Sequence, residues 1–252
     1  MRRLADKVAL VTGAGSGLGA ADCEVLAAAG AHVFVTDVSL DAAKHVAARI
    51  GDSAMPLQLD VSSSAAWMSV VAEVDRRFGR LDILVNNAGL CLLGDVETQT
   101  LEQFRLTQAV MNEGVFLGCQ LAFPLLKKSA SASIINISSI ASMRGFAGFV
   151  AYAAAKGAVA SMTKAIAAMC QDKAYKIRCN SVHPGEIETP MQQEFEGRLG
   201  EERLVPPGVL PKGAIGAPSD VAAMVLFLAS DDSRFITGAE LVVDNGATMR
   251  AT

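Results

Sequence analysis

Short apolar runs alternate with longer, alanine-rich amphipathic stretches along this chain, and that alternation is what most limits its fold. Residues 8–12, 32–36, 55–60, 83–86, 133–138, 177–182 and 240–243 read as strands. They are short, several are β-branched, and most are bounded by Gly, Pro, Asp or Asn. Between them, residues 18–29, 40–50, 64–78, 100–127, 151–171 and 219–229 carry helical spacing. Strand–helix alternation calls for parallel strands joined by crossover helices, and continuous apolar strands call for cover on both sheet faces. The pattern therefore predicts α/β architecture: one doubly wound domain over residues 1–252, with about seven parallel strands. One stretch breaks the rhythm. Residues 191–213 turn charged and then rich in Gly and Pro, after the sixth strand, where ligands bind in such sheets. A lid-like insertion is expected there.

Composition closes off other classes. Of 252 residues, 51% are hydrophobic and 19% charged, so the chain can fill a core and disorder is not expected. A net charge of −4 and the lack of any basic cluster argue against a nucleic-acid surface. The apolar runs are too short to span a bilayer, and no apolar h-region follows the first charged residues, so neither a membrane partner nor a signal peptide is expected. The five cysteines are scattered and odd in number, which fits thiols in a reducing cytoplasm. The three histidines lie far apart, and no metal site is expected.

Gly13, Gly17 and Gly19 lie in the run Thr12-Gly13-Ala14-Gly15-Ser16-Gly17-Leu18-Gly19, between the first strand and the first helix. Glycines let a backbone turn sharply and approach a pyrophosphate, whose charge then faces helix-terminal amides. Asp37 ends the second strand, where a carboxylate can accept from ribose hydroxyls and would repel a 2′-phosphate. No Arg or Lys stands in the loop, where Ser16 precedes Gly17, nor at Val38, so NAD is the expected cofactor.

Tyr152 and Lys156 are four residues apart, which places a phenol and an ammonium on one helix face. A phenol titrates near 10, and bringing it to about 7 needs roughly 4 kcal/mol of preferential phenolate stabilisation. A neighbouring ammonium plus the positive ring of an oxidised nicotinamide can supply that order. Tyr152 would then exchange a proton with an alcohol or ketone, and Ser139, at the end of the fifth strand, would hold the substrate oxygen.

With these residues in hand, the chain resembles the short-chain dehydrogenase/reductase family, from about Lys7 to Gly246. The resemblance implies a Rossmann-type domain, the catalytic set Ser139, Tyr152 and Lys156, and NAD contacts from Gly13, Ser16, Gly17, Leu18 and Gly19. It further implies that Asp60 and Val61 touch the adenine. Asn86, Asn87, Ala88 and Gly89 would steady the sheet beside the cofactor, and Pro184, Ile187 and Thr189 would engage the nicotinamide amide. Ile135-Asn136, Gly118-Cys119-Gln120 and the run from Lys176 to Pro184 are similar to bacterial 3β/17β-hydroxysteroid dehydrogenases. A homotetramer is also implied, with the 100–127 helix at an interface.

One position departs from the family. Its catalytic Asn lies three residues before the Gly of a Gly-Val-Phe run; here Met111 holds that place and Asn112 follows. One residue is about 100° of helix, so Asn112 points elsewhere unless the helix is distorted. The resemblance implies that this Asn orders a water leading to the lysine, so a slower but active enzyme is expected. The substrate pocket is expected to draw on 90–93, 142–149, Glu186 and the 191–213 lid. Leu92, Leu93, Met143, Phe146, Phe149 and Met191 favour a bulky apolar secondary alcohol or ketone, steroid or cyclic. A second class of protein, an NAD-binding sensor or scaffold with weak turnover, has Met111 as its one hint.

Overall fold

The computed structural model describes residues 3–196 and 213–249. Seven parallel strands form one sheet in the order β3-β2-β1-β4-β5-β6-β7. They are β1 Val8–Thr12, β2 His32–Asp37, β3 Ala54–Gln58, β4 Ile83–Asn86, β5 Ala132–Ile137, β6 Ile177–Pro184 and β7 Glu240–Val243. The order reverses between β1 and β4, which pair directly (Val11 opposite Val85), and a crevice opens there at the carboxyl ends. The helices are α1 Gly17–Ala28, α2 Leu40–Ile50, α3 Ser64–Phe78, α4 Leu101–Gln108, α5 Gly114–Leu126, α6 Val150–Asp172, α7 Pro190–Glu196 and α8 Pro218–Ala229.

Both sheet faces are covered, and the strands show how. Ala9, Val11, Val33, Val35, Ile83 and Val85 pack with α1, α2 and α8. Their neighbours Val8, Leu10, Phe34 and Leu84 point the other way, into a second core with α3, α5 and α6. Strand side chains alternate between faces, so strands buried on both sides are mostly apolar, and the polar residues they hold are paired, as Asn86 is with Asn136 at 2.8 Å. Pro56 sits in β3, the edge strand, where a missing N–H costs least.

The strands expected at 55–60 and 177–182 are shifted or extended, and β6 runs on to His183 and Pro184 beside β7. The expected 100–127 helix is interrupted. Ala109–Glu113 forms a π-helical turn, and the Gly114 N–H reaches the Ala109 carbonyl five residues back. The whole stretch Leu101–Leu126 is long and apolar enough to cross a membrane, which no apolar run in the sequence suggested. Its Val115, Cys119, Ala122, Leu125 and Leu126 are core residues of the second layer, which accounts for its apolar character. Of the expected 191–213 insertion, residues 197–212 lie outside the described residues.

Candidate active site

The crevice begins with the glycine turn. Gly13 has φ +61°, and a Cβ there would sit 2.7 Å from the Ala88 Cα. At Gly19 a Cβ would meet the Gly13 carbonyl and the Asn87 amide nitrogen, each at 2.5 Å. Only glycine lets β1, α1 and the segment after β4 converge so closely. Thr12 and Asn87 then lock the convergence. Thr12 Oγ1 accepts from the Asn87 and Ala88 N–H groups, both at 3.0 Å. Asn87 Nδ2 donates to the Thr12 carbonyl at 2.9 Å and the Gly13 carbonyl at 3.1 Å. The Ser16 side chain caps no amide of α1, leaving the first-turn N–H groups for an anion.

Asp37 does more than end a strand. Its Oδ2 accepts from the Gly15 N–H and its Oδ1 from the Ser39 N–H, both at 2.9 Å. The carboxylate thus ties the glycine turn to β2, and each oxygen keeps lone-pair capacity for a ribose hydroxyl. Further along, Val61 is fixed from behind by Trp67, whose Nε1–H donates to the Val61 carbonyl at 3.0 Å. Asp60 Oδ1 accepts from the Ser62 N–H at 2.9 Å.

These groups border a cleft of about 530 Å³, the size of a small-molecule site. Along it stand Gly13, Ser16, Gly17, Leu18, Asp37, Asp60, Val61, Asn87, Ala88 and Gly89, together with Ser139, Tyr152, Lys156, Pro184, Ile187 and Thr189. Every expected catalytic or cofactor-contacting residue but one therefore borders the same cleft. The exception is Gly19, which faces Gly13 and Asn87 instead, because its task is close packing behind the turn. Leu59, Ser62, Ile137, Ser138, Gly185 and Pro190 also line it. All but Ile137 neighbour an expected residue in the chain, and that adjacency was their sequence signal. A glycine cradle that a Cβ would fill, free helix-terminal amides and the Asp37 carboxylate together fit a dinucleotide.

Ser139 follows β5 and opens a 3₁₀ turn, Ile140–Ser142, with its Oγ accepting from the Ala141 N–H at 3.1 Å. Tyr152 lies in the first turn of α6, which Gln99 and Gln108 clamp from outside. Gln99 Oε1 accepts from the Ala151 N–H at 3.3 Å, and Gln108 Nε2 donates to the Ala151 carbonyl at 3.0 Å. Lys156 is buried, donates to the Ile137 carbonyl at 2.8 Å, and stands 5.6 Å from the centre of the Tyr152 ring.

The chain's own groups do not by themselves activate the phenol. Burial pushes Tyr152 up to about 12, against a hydrogen bond with Ser139 that draws it down. Burial also lowers Lys156 to about 8, so the ammonium is itself weakened. In the chain alone desolvation wins, and the phenol stays protonated.

The expected substrate face also changes. Leu90 and Met191 line the cleft, but none of residues 142–149 does, nor does Glu186, which is exposed. Those residues form a rim instead. Phe149 stacks edge-on against Tyr152 (6.0 Å between ring centres) and against Phe146 (6.2 Å). Gly94 pairs with this rim: its N–H donates to the Gly148 carbonyl at 2.8 Å. Inside the cleft Met111 stands where the family's catalytic Asn is expected, and Leu106 and Val110, which no motif marks, stand with it. The π turn does not carry Asn112 into the place of Met111. Met111 is buried, with its sulfur 3.2 Å from where a Gly89 Cβ would lie, while Asn112 Nδ2 turns to Gln108 at 3.4 Å.

A family model described as enoyl-(acyl carrier protein) reductase matches residues 13–248. The 3-beta-hydroxysteroid dehydrogenase of Comamonas testosteroni is 42% identical over 245 residues, covering 96% of each chain. The chain belongs to the short-chain dehydrogenase/reductase family. It is accordingly an oxidoreductase. The NADP-dependent (R)-specific alcohol dehydrogenase of Lentilactobacillus kefiri is 41% identical, with 98% of each chain covered. Among solved structures, the 3-ketoacyl-(acyl-carrier-protein) reductase of Brucella melitensis, complexed with NADH, superposes with a TM-score of 0.87 at 35% identity, covering 96% of this chain and 98% of its own.

Proposed function

We propose that this short-chain dehydrogenase/reductase interconverts a bulky apolar secondary alcohol, steroid or cyclic, and the corresponding ketone, using NAD(H) and Tyr152 as the general acid/base. The observation that carries the reading is the convergence of Ser139, Tyr152 and Lys156 on the cleft that the glycine turn opens. The steroid-acting relative supports the substrate class, as do the apolar residues Leu90, Leu106, Val110 and Met191.

Gly13, Gly17 and the α1 amides would hold the pyrophosphate, Asp37 the adenosine ribose, Val61 and Asp60 the adenine, and Pro184, Ile187 and Thr189 the nicotinamide end. When bound, the dinucleotide supplies the two-electron redox chemistry and, oxidised, a positive ring. Tyr152 takes the proton of the substrate hydroxyl in oxidation and returns it in reduction. Ser139 donates a hydrogen bond to the substrate oxygen and steadies it against the phenol. Lys156, anchored on the Ile137 carbonyl, lies close enough to favour the phenolate. Asp37 and the absence of a cation at Ser16 or Val38 favour NAD over NADP. The NADH-complexed relative supports that reading, while the NADP-dependent one shows that coenzyme choice varies among relatives of this similarity. A homotetramer, a cytoplasmic location in keeping with five free cysteines, and a lid over 191–213 complete the proposal.

The decisive experiment follows reduced-nicotinamide absorbance with a panel of cyclic and steroidal alcohols, in the native chain and in Tyr152→Phe. Turnover should fall by about 10²–10⁴-fold, the usual contribution of a positioned acid/base. Coenzyme binding, read as energy transfer from the single Trp67, should persist. An unimpaired phenylalanine variant sinks the reading.

A further inference from the structure

Ser139 is held from behind as well as used from the front. Its carbonyl accepts from the Ser142 hydroxyl at 2.7 Å and from the Ser142 N–H at 3.1 Å, and lies 3.2 Å from His183 Nδ1. His183, on β6, is fully buried. Its Nδ1 is also 2.9 Å from Ser142 Oγ, and its Nε2 is 2.8 Å from Ser181 Oγ.

The proton positions follow by elimination. The Ser142 hydroxyl proton goes to the Ser139 carbonyl, so Ser142 Oγ can only accept from the ring. Nδ1 therefore carries a proton, shared between Ser142 Oγ and the Ser139 carbonyl. Ser181 Oγ, which also lies 3.5 Å from the Ala239 carbonyl, then donates to the nearer Nε2, and the neutral ring is satisfied at both nitrogens. The surroundings favour that neutral form. Burial lowers the imidazole's affinity for a second proton, against the Ser139 carbonyl and Glu240, and Lys156 and Lys164 of α6 push the same way as burial.

We infer that His183 is a positioning residue: as the Nδ1–H tautomer it fixes the Ser139 peptide plane and so aims the Ser139 hydroxyl at Tyr152 and the substrate oxygen. The rest of this strand end is already tied to α6, since Ser138 Oγ donates to the Lys156 carbonyl and Lys156 Nζ to the Ile137 carbonyl. His183 and Ser142 supply the missing restraint at Ser139 itself. A displacement of about 1 Å at such a group can cost about 10²-fold in rate. The inference rests on the proposed roles of Ser139 and Tyr152.

The test uses the full chain, NAD⁺ and a cyclic alcohol that the native enzyme oxidises, with active sites counted by coenzyme binding. His183→Phe keeps a planar ring, somewhat larger, but removes the hydrogen bonds at both nitrogens. It should lower kcat per site by about tenfold, inside the range that small misplacements produce, with KM for NAD⁺ unchanged. His183→Asn, whose amide N–H falls near the Nδ1 position, should recover most of that loss. Ser142→Ala should lower kcat less, and combining it with His183→Phe should add little. Native kcat in His183→Phe overturns the inference, as does an asparagine variant no better than the phenylalanine one. Should His183→Phe fail to fold, a native kcat in Ser142→Ala overturns it equally. Activity surviving in Tyr152→Phe would instead remove the proposed chemistry, so the two failures are told apart.

Discussion

Around Gly13, Asp37 and Asn87 the chain closes on itself through amides and side chains at fixed distances, whereas around Leu93, Met143 and Phe146 it presents apolar side chains that are 40–48% exposed. The first region has its residue types dictated. A pyrophosphate needs bare amides, bare amides need a turn without Cβ atoms, and the turn needs Asn87 and Thr12 to hold it. The second region has to match a shape, and many apolar side chains do that equally well. Coenzyme binding should therefore respond sharply to single atoms, and substrate binding only in degrees.

The largest expected effect lies on the coenzyme side. Gly13→Ala forces an alanine into a left-handed conformation, costing about 1–2 kcal/mol before any clash with Ala88. Titration of Trp67 energy transfer should show NADH affinity falling by tenfold or more, and an unchanged affinity would erase the contrast. Next, Asp37→Ser with Val38→Arg should move the NADP/NAD ratio of kcat/KM by about 10- to 100-fold, since an arginine–phosphate pair replaces a repulsion. A ratio that stays put would free Asp37 from any part in cofactor choice. Phe149→Ala should act on the other side alone: it removes the ring packed edge-on against Tyr152, so kcat/KM for a bulky alcohol falls several-fold, about 1 kcal/mol, with NADH affinity intact. A loss of NADH affinity there would show that the two regions are not separable. Smallest, Met111→Asn should raise kcat about two- to fivefold if the thioether beside Gly89 interrupts proton return from Lys156, an effect below about 1 kcal/mol.

One buried group outside the cleft offers a pH test of the core beneath the glycine turn. Asp22 of α1 is fully buried, and neither carboxylate oxygen has a partner among the described residues. Burial raises its pKa well above the ordinary 3.8. A carboxyl with a raised folded-state pKa gives its full stability below the unfolded value near 3.9, and that stability is lost as pH rises through the folded-state value. Asp22→Asn should therefore be close to native in stability at pH 4 and more stable by about 1–3 kcal/mol at pH 8, measured by urea unfolding. A gap that stays constant with pH would mean that Asp22 ionises without penalty.

Most of the sheet was legible because two-sided burial makes parallel strands mostly apolar; β1, β4 and β7 fall where their apolar runs do, while β6, with Asn180, Ser181 and His183 buried in it, runs on past its apolar stretch. The interruption at Ala109–Glu113 was not, because a π turn is one extra residue in a ladder and leaves the apolar spacing nearly intact. On the coenzyme side even spacing carried information, and Gly19 was misread only as to what it touches. Phe146 and Phe149 were placed in the pocket because they are apolar and near Tyr152, but the backbone pairing of Gly94 with residues 148–150 turns them into its rim. His183 carried a signal only as part of a motif; its two serine partners come from Ser142, forty-one residues away, and from Ser181 across one strand pleat.

The two hydrogen bonds that Asp37 accepts from Gly15 and Ser39 have a practical corollary. The carboxylate that would screen out a phosphorylated ribose is also the brace of the turn, so specificity and rigidity share one side chain. A redesign toward the other coenzyme by exchanging Asp37 alone would loosen the very loop meant to grip it. Success would require a substitute acceptor for the Gly15 amide as well as a new cation.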